Sequence, residues 1–110
     1  MENLIPVAGV KLGVAKAGLR NKASNDVMIL KVKPGSTISG VFTNNSFKAA
    51  PVIIASGKLK QGHIRALVVN TGYANAGTGE RGKQDAELVC KQLSDAIGVS
   101  SEQVLPFSTG

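Results

Sequence analysis

The chain of 110 residues has no tryptophan, one tyrosine and three phenylalanines, so aliphatic side chains must build its hydrophobic core. Its one cysteine, Cys90, excludes a disulfide framework and a cysteine-based metal site within the chain. Its one histidine, His63, lies in a polar Gly-His turn and has no second histidine or cysteine near it in sequence. We therefore expect His63 in a surface loop, and we expect neither a metal nor a cofactor in this chain.

Long apolar runs are also missing, since none approaches the ~20 residues that a membrane-spanning helix needs. The first residues carry an acid at Glu2 and lack the compact apolar segment of a secretory signal. We expect no membrane as a partner, and the cytoplasm is the expected compartment.

Charge of one sign predominates, with 13 Lys and Arg against 7 Asp and Glu and a net charge of +6. Such a balance can favour nucleic acid, an anionic surface or acidic small substrates. The basic residues are scattered singly, however, with no Lys/Arg run and almost no aromatic residue between them. This pattern favours a solvated surface over a nucleic-acid-binding module, which remains the alternative suggested by charge alone.

Alternating apolar and polar residues predict strands in the first half of the chain. A weak strand followed by a turn is predicted within residues 7–22, where Val10, Leu12 and Val14 alternate. A second strand is predicted at residues 28–33, where Pro34-Gly35 ends it as a turn. The alternation resumes at residues 37–43, so the last two runs predict a β-hairpin.

The second half predicts one buried strand and one amphipathic helix. Residues 51–55 are ambiguous between a buried strand and a short helix, whereas residues 66–69 form a continuous apolar run typical of an interior strand. Helical spacing then gives an apolar stripe, with Gly98 as its C-terminal stop: Ala86, Val89, Cys90, Leu93 and Ile97. Residues 100–103 match a capping box, and residues 104–107 predict a last extended piece. In this pattern Cys90 is a small core hydrophobe.

Residues 77–83, GTGERGK, match two nucleotide-binding patterns in part. As a dinucleotide loop they stand too far from the preceding strand, because residues 70–76 intervene. As a triphosphate loop they lack the magnesium-binding hydroxyl after the lysine, since Gln84 stands there. We therefore predict no nucleotide, but a tight loop whose glycines allow left-handed or crowded backbone. Asn70 and Asn75 are expected to hydrogen-bond this loop internally.

Four motifs occur in order along the chain: GVFTNNSFKAAPV at residues 40–52, NTGYANAGTGE at residues 70–80, DAELVCKQL at residues 85–93 and VLPFSTG at residues 104–110. Together they resemble the ornithine acetyltransferase family, the glutamate N-acetyltransferases of arginine biosynthesis. The resemblance runs from about residue 11 to the end. It implies an α/β fold, part of an αββα sandwich resembling N-terminal-nucleophile-type enzymes, to which this chain supplies strands and at least one helix.

The resemblance also implies a reaction. Members of the family move an acetyl group from N-acetylornithine, and in some cases from acetyl-CoA, to glutamate by a ping-pong mechanism through an acetyl-threonine. The precursor cleaves itself before that threonine, and the α and β chains stay together in a heterotetramer. By position, the Thr109 hydroxyl and the Gly110 backbone N–H are the donors of the oxyanion hole.

No threonine in this chain follows an alanine, so the resemblance places the nucleophile outside it. Residues 1–110 are then the N-terminal portion of the α chain, ending at the oxyanion-hole motif and inactive alone. The implied partners are the remainder of the α chain, the β chain, N-acetylornithine and glutamate. An N-terminal-nucleophile aminopeptidase relative, which shares the fold but hydrolyses its acyl-enzyme, is the closer alternative.

Overall fold

The computed structural model describes residues 5–18 and 23–110, and the elements in these ranges are four strands, two α-helices and one 3-10 turn. Their order along the chain is β1 Val10–Ala15, β2 Val27–Val32, α1 Ala50–Gln61, β3 Ala66–Thr71, α2 Gly79–Ile97, the 3-10 turn Ser101–Gln103, and β4 Val104–Thr109.

The strands form one mixed sheet in the order β1-β2-β3-β4. β1 with β2 and β2 with β3 are antiparallel, and β3 pairs with β4 in parallel, with Ala66 opposite Val104. Two parallel neighbours need a crossover connection, and α2 supplies it. The predicted mixed α/β class is therefore confirmed.

Most strand predictions are confirmed. The weak strand predicted within residues 7–22 is β1, although residues 19–22 of that range lie outside the described residues. The run at residues 28–33 is β2, and the turn at Pro34-Gly35 follows it, with Gly35 at a φ of 83°. The interior strand is β3, and the last extended piece is β4.

The hairpin predicted from residues 37–43 is wrong. Both edges of β2 are already paired, one with β1 and the other with β3, so no edge remains for another strand. Residues 37–43 instead run without helix or strand. Their apolar members Ile38 and Phe42 pack, half-buried, against the cluster of Ala55, Ile64 and Leu105. The alternation there reflects contact with this cluster rather than pairing in the sheet.

The ambiguous run at residues 51–55 is helical and belongs to α1. Pro51 lies in the first helical turn, where its missing N–H costs no helical hydrogen bond. Ala55 is buried against Leu105, and the helix ends at Gly62, whose φ is 78°.

The amphipathic helix is α2, and it packs on one face of the sheet. Cys90 and Leu93 contact Ala66, Val68 and Val104 in the main core. Of the predicted stripe, Val89 alone is exposed, at 38%. Gly98 ends the helix in the left-handed conformation, as predicted, and the capping box between Ser100 and Gln103 is formed.

Cys90 is a core residue, as predicted. It is fully buried, and its thiol donates to the carbonyl oxygen of Val104 at 3.5 Å. Burial raises the pKa of this thiol, although nearby Lys58 acts in the opposite direction. A buried, neutral thiol on the apolar side of a helix contributes packing rather than reactivity.

The opposite face of the sheet carries an apolar patch that is largely uncovered. The strand register places side chains of all four strands on this patch, which we call the open face: Leu12, Val14, Met28, Val69 and Phe107. Leu12 and Val14 are more than half exposed. An apolar sheet face of this kind normally packs against another layer.

Lys58 links the two helices from a buried position. Its side chain is 3% exposed, and Nζ donates to Glu87 Oε2 at 3.2 Å and to the Ser101 carbonyl oxygen at 2.9 Å. These bonds join α1, α2 and the 3-10 turn through one ammonium group. Removing that group would leave two part-buried acceptors without their donor.

We expect Lys58→Ala to lower the free energy of unfolding by about 1 to 3 kcal/mol, because it leaves the Ser101 carbonyl without its donor while half-exposed Glu87 can be solvated. Lys58→Met keeps the aliphatic stem and should recover part of the loss. Lys60→Ala, on the exposed side of the same helix, is the control. Urea unfolding measures all three, and equal midpoints for Lys58→Ala and Lys60→Ala would contradict the assignment.

Candidate functional site

Two sequence motifs meet at one edge of the sheet. Because β3 and β4 are parallel, their carboxyl ends lie side by side, with Thr71 opposite Thr109. The loop at residues 72–78 leaves β3 at this edge, where Ser108 and Thr109 end β4 and Gly110 follows them. Ligands of α/β proteins commonly bind at the carboxyl ends of parallel strands. This edge is therefore the candidate functional site.

Thr109 and Gly110, the sequence-predicted oxyanion donors, are both exposed at this edge. Within residues 5–18 and 23–110, the Thr109 hydroxyl makes no hydrogen bond. Successive side chains of a strand alternate between faces. Thr109 therefore projects to the side of the open face, like Phe107, whereas Ser108 projects to the side of α2.

The loop is tied to β4 through Ser108. The Asn75 backbone N–H donates to Ser108 Oγ at 2.9 Å. The Asn75 side chain in turn donates from Nδ2 to the Gly82 carbonyl oxygen at 2.7 Å, and its Oδ1 accepts from the Thr78 hydroxyl. Asn70 Nδ2 donates to the Tyr73 carbonyl oxygen at 3.1 Å. The internal hydrogen bonding predicted for this loop is confirmed.

The glycines of residues 77–83 serve the same loop. Gly77 and Gly79 adopt φ values of 66° and 62°, in the left-handed region that favours glycine. Gly82 is crowded instead: a Cβ there would overlap Thr78 Oγ1 and Asn75 Oδ1 and would stand 2.7 Å from the Thr78 Cβ. The structural interpretation of the glycines is therefore confirmed. That this loop binds no nucleotide stays a prediction.

Two cavities flank the tied loop. One, of about 290 Å³, lies beside residues 41–43 and the start of α1. The other, of about 360 Å³, lies between the sheet and the middle of α2, and Val89 and Tyr73 are among the residues that line it. Both have mainly apolar walls. The residues common to the two walls include both partners of the loop-to-strand bond: Pro51, Asn75, Pro106, Phe107 and Ser108.

Other predicted features lie away from this edge. His63 is exposed in the loop before β3 and adopts a φ of 62°, which is uncommon for a residue with a side chain. In the described ranges, no three His, Cys, Asp or Glu residues come together as metal ligands would. Neither helix of the described chain is long and apolar enough to cross a membrane.

Sequence reasoning missed one functional candidate, Ser108, and the bond that Asn75 makes to it. Asn75 was expected to hydrogen-bond within its own loop, but its backbone partner lies 33 residues further along the chain. No local pattern predicts such a contact. The sequence does show the two apolar runs that become β3 and β4. Their parallel pairing, which brings Asn75 close to Ser108, is visible only in the structure.

Known proteins resemble this chain in sequence. The model of the ArgJ family matches residues 11–110. The chain is 48% identical over its whole length to the arginine biosynthesis bifunctional protein ArgJ of Pseudomonas fluorescens strain Pf0-1. It spans only 27% of the length of that relative.

Solved structures resemble it as well. The ornithine acetyltransferase of Mycobacterium tuberculosis, complexed with ornithine, matches with a TM-score of 0.89 at 30% identity, over 94% of this chain and 56% of that one. The arginine biosynthesis bifunctional protein of Bacillus halodurans matches with a TM-score of 0.86 at 27% identity, over 94% and 54% respectively. The chain therefore spans roughly half of each, and the fold and the family resemblance predicted from the sequence agree with both matches.

Substituting alanine for glycine should change the free energy of unfolding in opposite directions at two helical positions. Gly57, in α1, is exposed and has open space around the position of a Cβ, so Gly57→Ala should raise the free energy of unfolding by about 0.5 to 1 kcal/mol. Gly82→Ala should lower it, because the new Cβ displaces Asn75 and Thr78. Thermal unfolding of both variants decides this. A stabilising Gly82→Ala would show that the loop contacts are not specific.

Proposed function

The chain belongs to the ArgJ family, and from this premise we propose that residues 1–110 are the N-terminal portion of the α chain of a glutamate N-acetyltransferase, ending at the oxyanion-hole motif. The complete enzyme would transfer acetyl groups from N-acetylornithine to glutamate in arginine biosynthesis. The names of two relatives, an arginine biosynthesis protein and an ornithine acetyltransferase, support this assignment. The observation that carries it is the Ser108-Thr109-Gly110 segment at the carboxyl ends of two parallel strands, where Thr109 and Gly110 are exposed.

In the proposed reaction, a threonine hydroxyl outside this chain attacks the acetyl carbonyl of N-acetylornithine, and ornithine leaves as the amine. The amine of glutamate then attacks the acetyl-threonine, which completes the ping-pong cycle without a cofactor. Each attack places a negative charge on the carbonyl oxygen. The Thr109 hydroxyl and the Gly110 backbone N–H would donate hydrogen bonds to that oxygen, and donors fixed in advance are the most effective.

The geometry of Thr109 supports this role. Its exposed hydroxyl lacks a partner among the described residues, so donating to a ligand would not break an internal bond. It projects to the same side of the sheet as the open face. A layer that packs on the open face would bring its own residues close to Thr109, and this is how a nucleophile from elsewhere in the enzyme could reach it.

The remainder of the α chain and the β chain are the proposed partners of this surface. The chain spans 27% of the length of the Pseudomonas relative, which leaves ample sequence for a covering layer. Leu12 and Val14, more than half exposed, would be buried by it. A cytoplasmic enzyme that acts on small molecules needs neither a membrane nor nucleic acid as a partner.

The complete protein should transfer acetyl groups from N-acetylornithine to glutamate, whereas the 110-residue chain alone should not, because it has no threonine that follows an alanine. Measuring N-acetylglutamate formation tests both statements. Incubation with a peptide amide is the parallel assay for an aminopeptidase relative. Amide hydrolysis without acetyl transfer would contradict the proposed function.

Thr109→Ala should lower kcat of the complete enzyme by roughly 10²- to 10³-fold, since that is the cost of removing one oxyanion donor. KM should hardly change, because the bond strengthens mainly in the transition state. Thr109→Ser keeps a hydroxyl and should retain much of the rate. Thr37→Ala, in an exposed loop, is the control. Folded Thr109→Ala enzyme with normal kcat would remove the assignment.

A further inference from the structure

We propose that Ser108 is a positioning residue for the oxyanion donors, held by the backbone N–H of Asn75. This inference rests on the proposed function, since it concerns how Thr109 and Gly110 are kept in place for the reaction. The bond in question joins Asn75 N–H to Ser108 Oγ at 2.9 Å, one residue before Thr109.

The bond lies at the end of β4, a strand that is paired on one side within the described chain. Among the described strands, β4 is at the edge of the sheet and has β3 as its only neighbour. Pro106, within β4, has no N–H to contribute to the sheet. The three residues that follow Pro106 in β4 include the proposed donor Thr109. The bond from Asn75 adds a second anchor to this short segment.

Because side chains alternate along a strand, fixing the direction of the Ser108 side chain also fixes that of Thr109. Side chains at Ser108 and Thr109 point to opposite faces, so a strand end that twists or slips by one residue exchanges their directions. Holding Ser108 Oγ on the side of α2 keeps the Thr109 hydroxyl on the side of the open face. The direction of a donor decides whether it meets the developing oxyanion.

The anchor is itself fixed at its other end. The Asn75 side chain donates to the Gly82 carbonyl oxygen at 2.7 Å and accepts from the Thr78 hydroxyl. This arrangement needs a glycine at position 82, because a Cβ there would overlap the Thr78 hydroxyl oxygen and Asn75 Oδ1. A continuous set of contacts therefore runs from the first turns of α2 through Asn75 to Ser108 and Thr109.

The bond between Asn75 and Ser108 lies outside the main core, so its effect on the rate can be measured separately from its effect on stability. Asn75 and Ser108 are half-buried, and both line the two cavities rather than the main core. Breaking a hydrogen bond in such a place should cost little stability, because water can reach the freed groups. A small displacement of catalytic donors, by contrast, slows a reaction strongly.

The test compares Ser108→Ala and Ser108→Thr in the complete enzyme. Ser108→Ala should lower kcat roughly tenfold, with KM for N-acetylornithine and the thermal midpoint nearly unchanged. A misplacement of ~1 Å in an active site can cost ~10²-fold in rate, and we expect a smaller displacement of Thr109 here. Ser108→Thr keeps the accepting hydroxyl and should restore most of the rate. Ser36→Ala is the matched control, because it removes a serine hydroxyl that donates to Lys33 in an exposed turn.

A double variant tests whether Ser108 acts through Thr109. If it does, adding Ser108→Ala to Thr109→Ala should slow turnover by much less than it slows the wild-type enzyme, since coupled residues are not additive. Full additivity would overturn the inference, and so would wild-type kcat in Ser108→Ala. A loss of rate that Ser108→Thr does not rescue, accompanied by a lower thermal midpoint, would also overturn it by indicating a structural role.

The same variants distinguish this inference from the proposed function. If Thr109→Ala is slow and Ser108→Ala is normal, the oxyanion assignment stands and the positioning role of Ser108 fails. If folded Thr109→Ala enzyme has normal kcat, the oxyanion assignment itself fails.

Discussion

Parallel pairing between β3 and β4 is the constraint on which the rest of the molecule depends. Parallel neighbours cannot be joined by a tight turn, so the chain between them must cross over, and α2 is that crossover. Its buried side packs on Ala66, Val68 and Val104, of which Ala66 and Val104 have no exposed surface. The same pairing brings the ends of both strands to one edge. A site built from residues 33 positions apart becomes possible only there.

The two faces of the sheet are covered to different extents: α2 packs on one face, whereas α1 covers only part of the other. The main core lies under α2, whereas α1 packs against Leu105 on the other side of β4 and reaches α2 through buried Lys58. Beyond α1, the open face keeps Leu12 and Val14 exposed. Burial of the face by a further layer would add the stability that one covered face cannot supply.

The spacing of apolar residues predicted correctly the elements that bury one face against the rest of the protein. The stripe of α2 and the apolar run of β3 were read correctly, because a single buried face leaves a clear period in the sequence. Residues 37–43 alternate as well, yet β2 had no edge for them, and alternation does not reveal which partner a side chain contacts. The motif placed Thr109 in the candidate site, and its oxyanion role stays a prediction. The bond between Asn75 and Ser108 could not be predicted from the sequence, because it depends on strand pairing rather than on local pattern.

The glycine pattern that resembles a nucleotide loop has a different physical origin. Left-handed backbone at Gly77 and Gly79 turns the chain into α2, and the absent side chain of Gly82 makes room for Asn75 and Thr78. A nucleotide loop uses glycines so that a phosphate can approach the backbone. In this loop the side chain of Asn75 approaches the backbone of Gly82 closely. Its Nδ2 donates to the Gly82 carbonyl oxygen, and its Oδ1 accepts from the Thr78 hydroxyl. Gly82 therefore makes room for the side chain of Asn75, whose backbone N–H bonds to Ser108 near the end of β4.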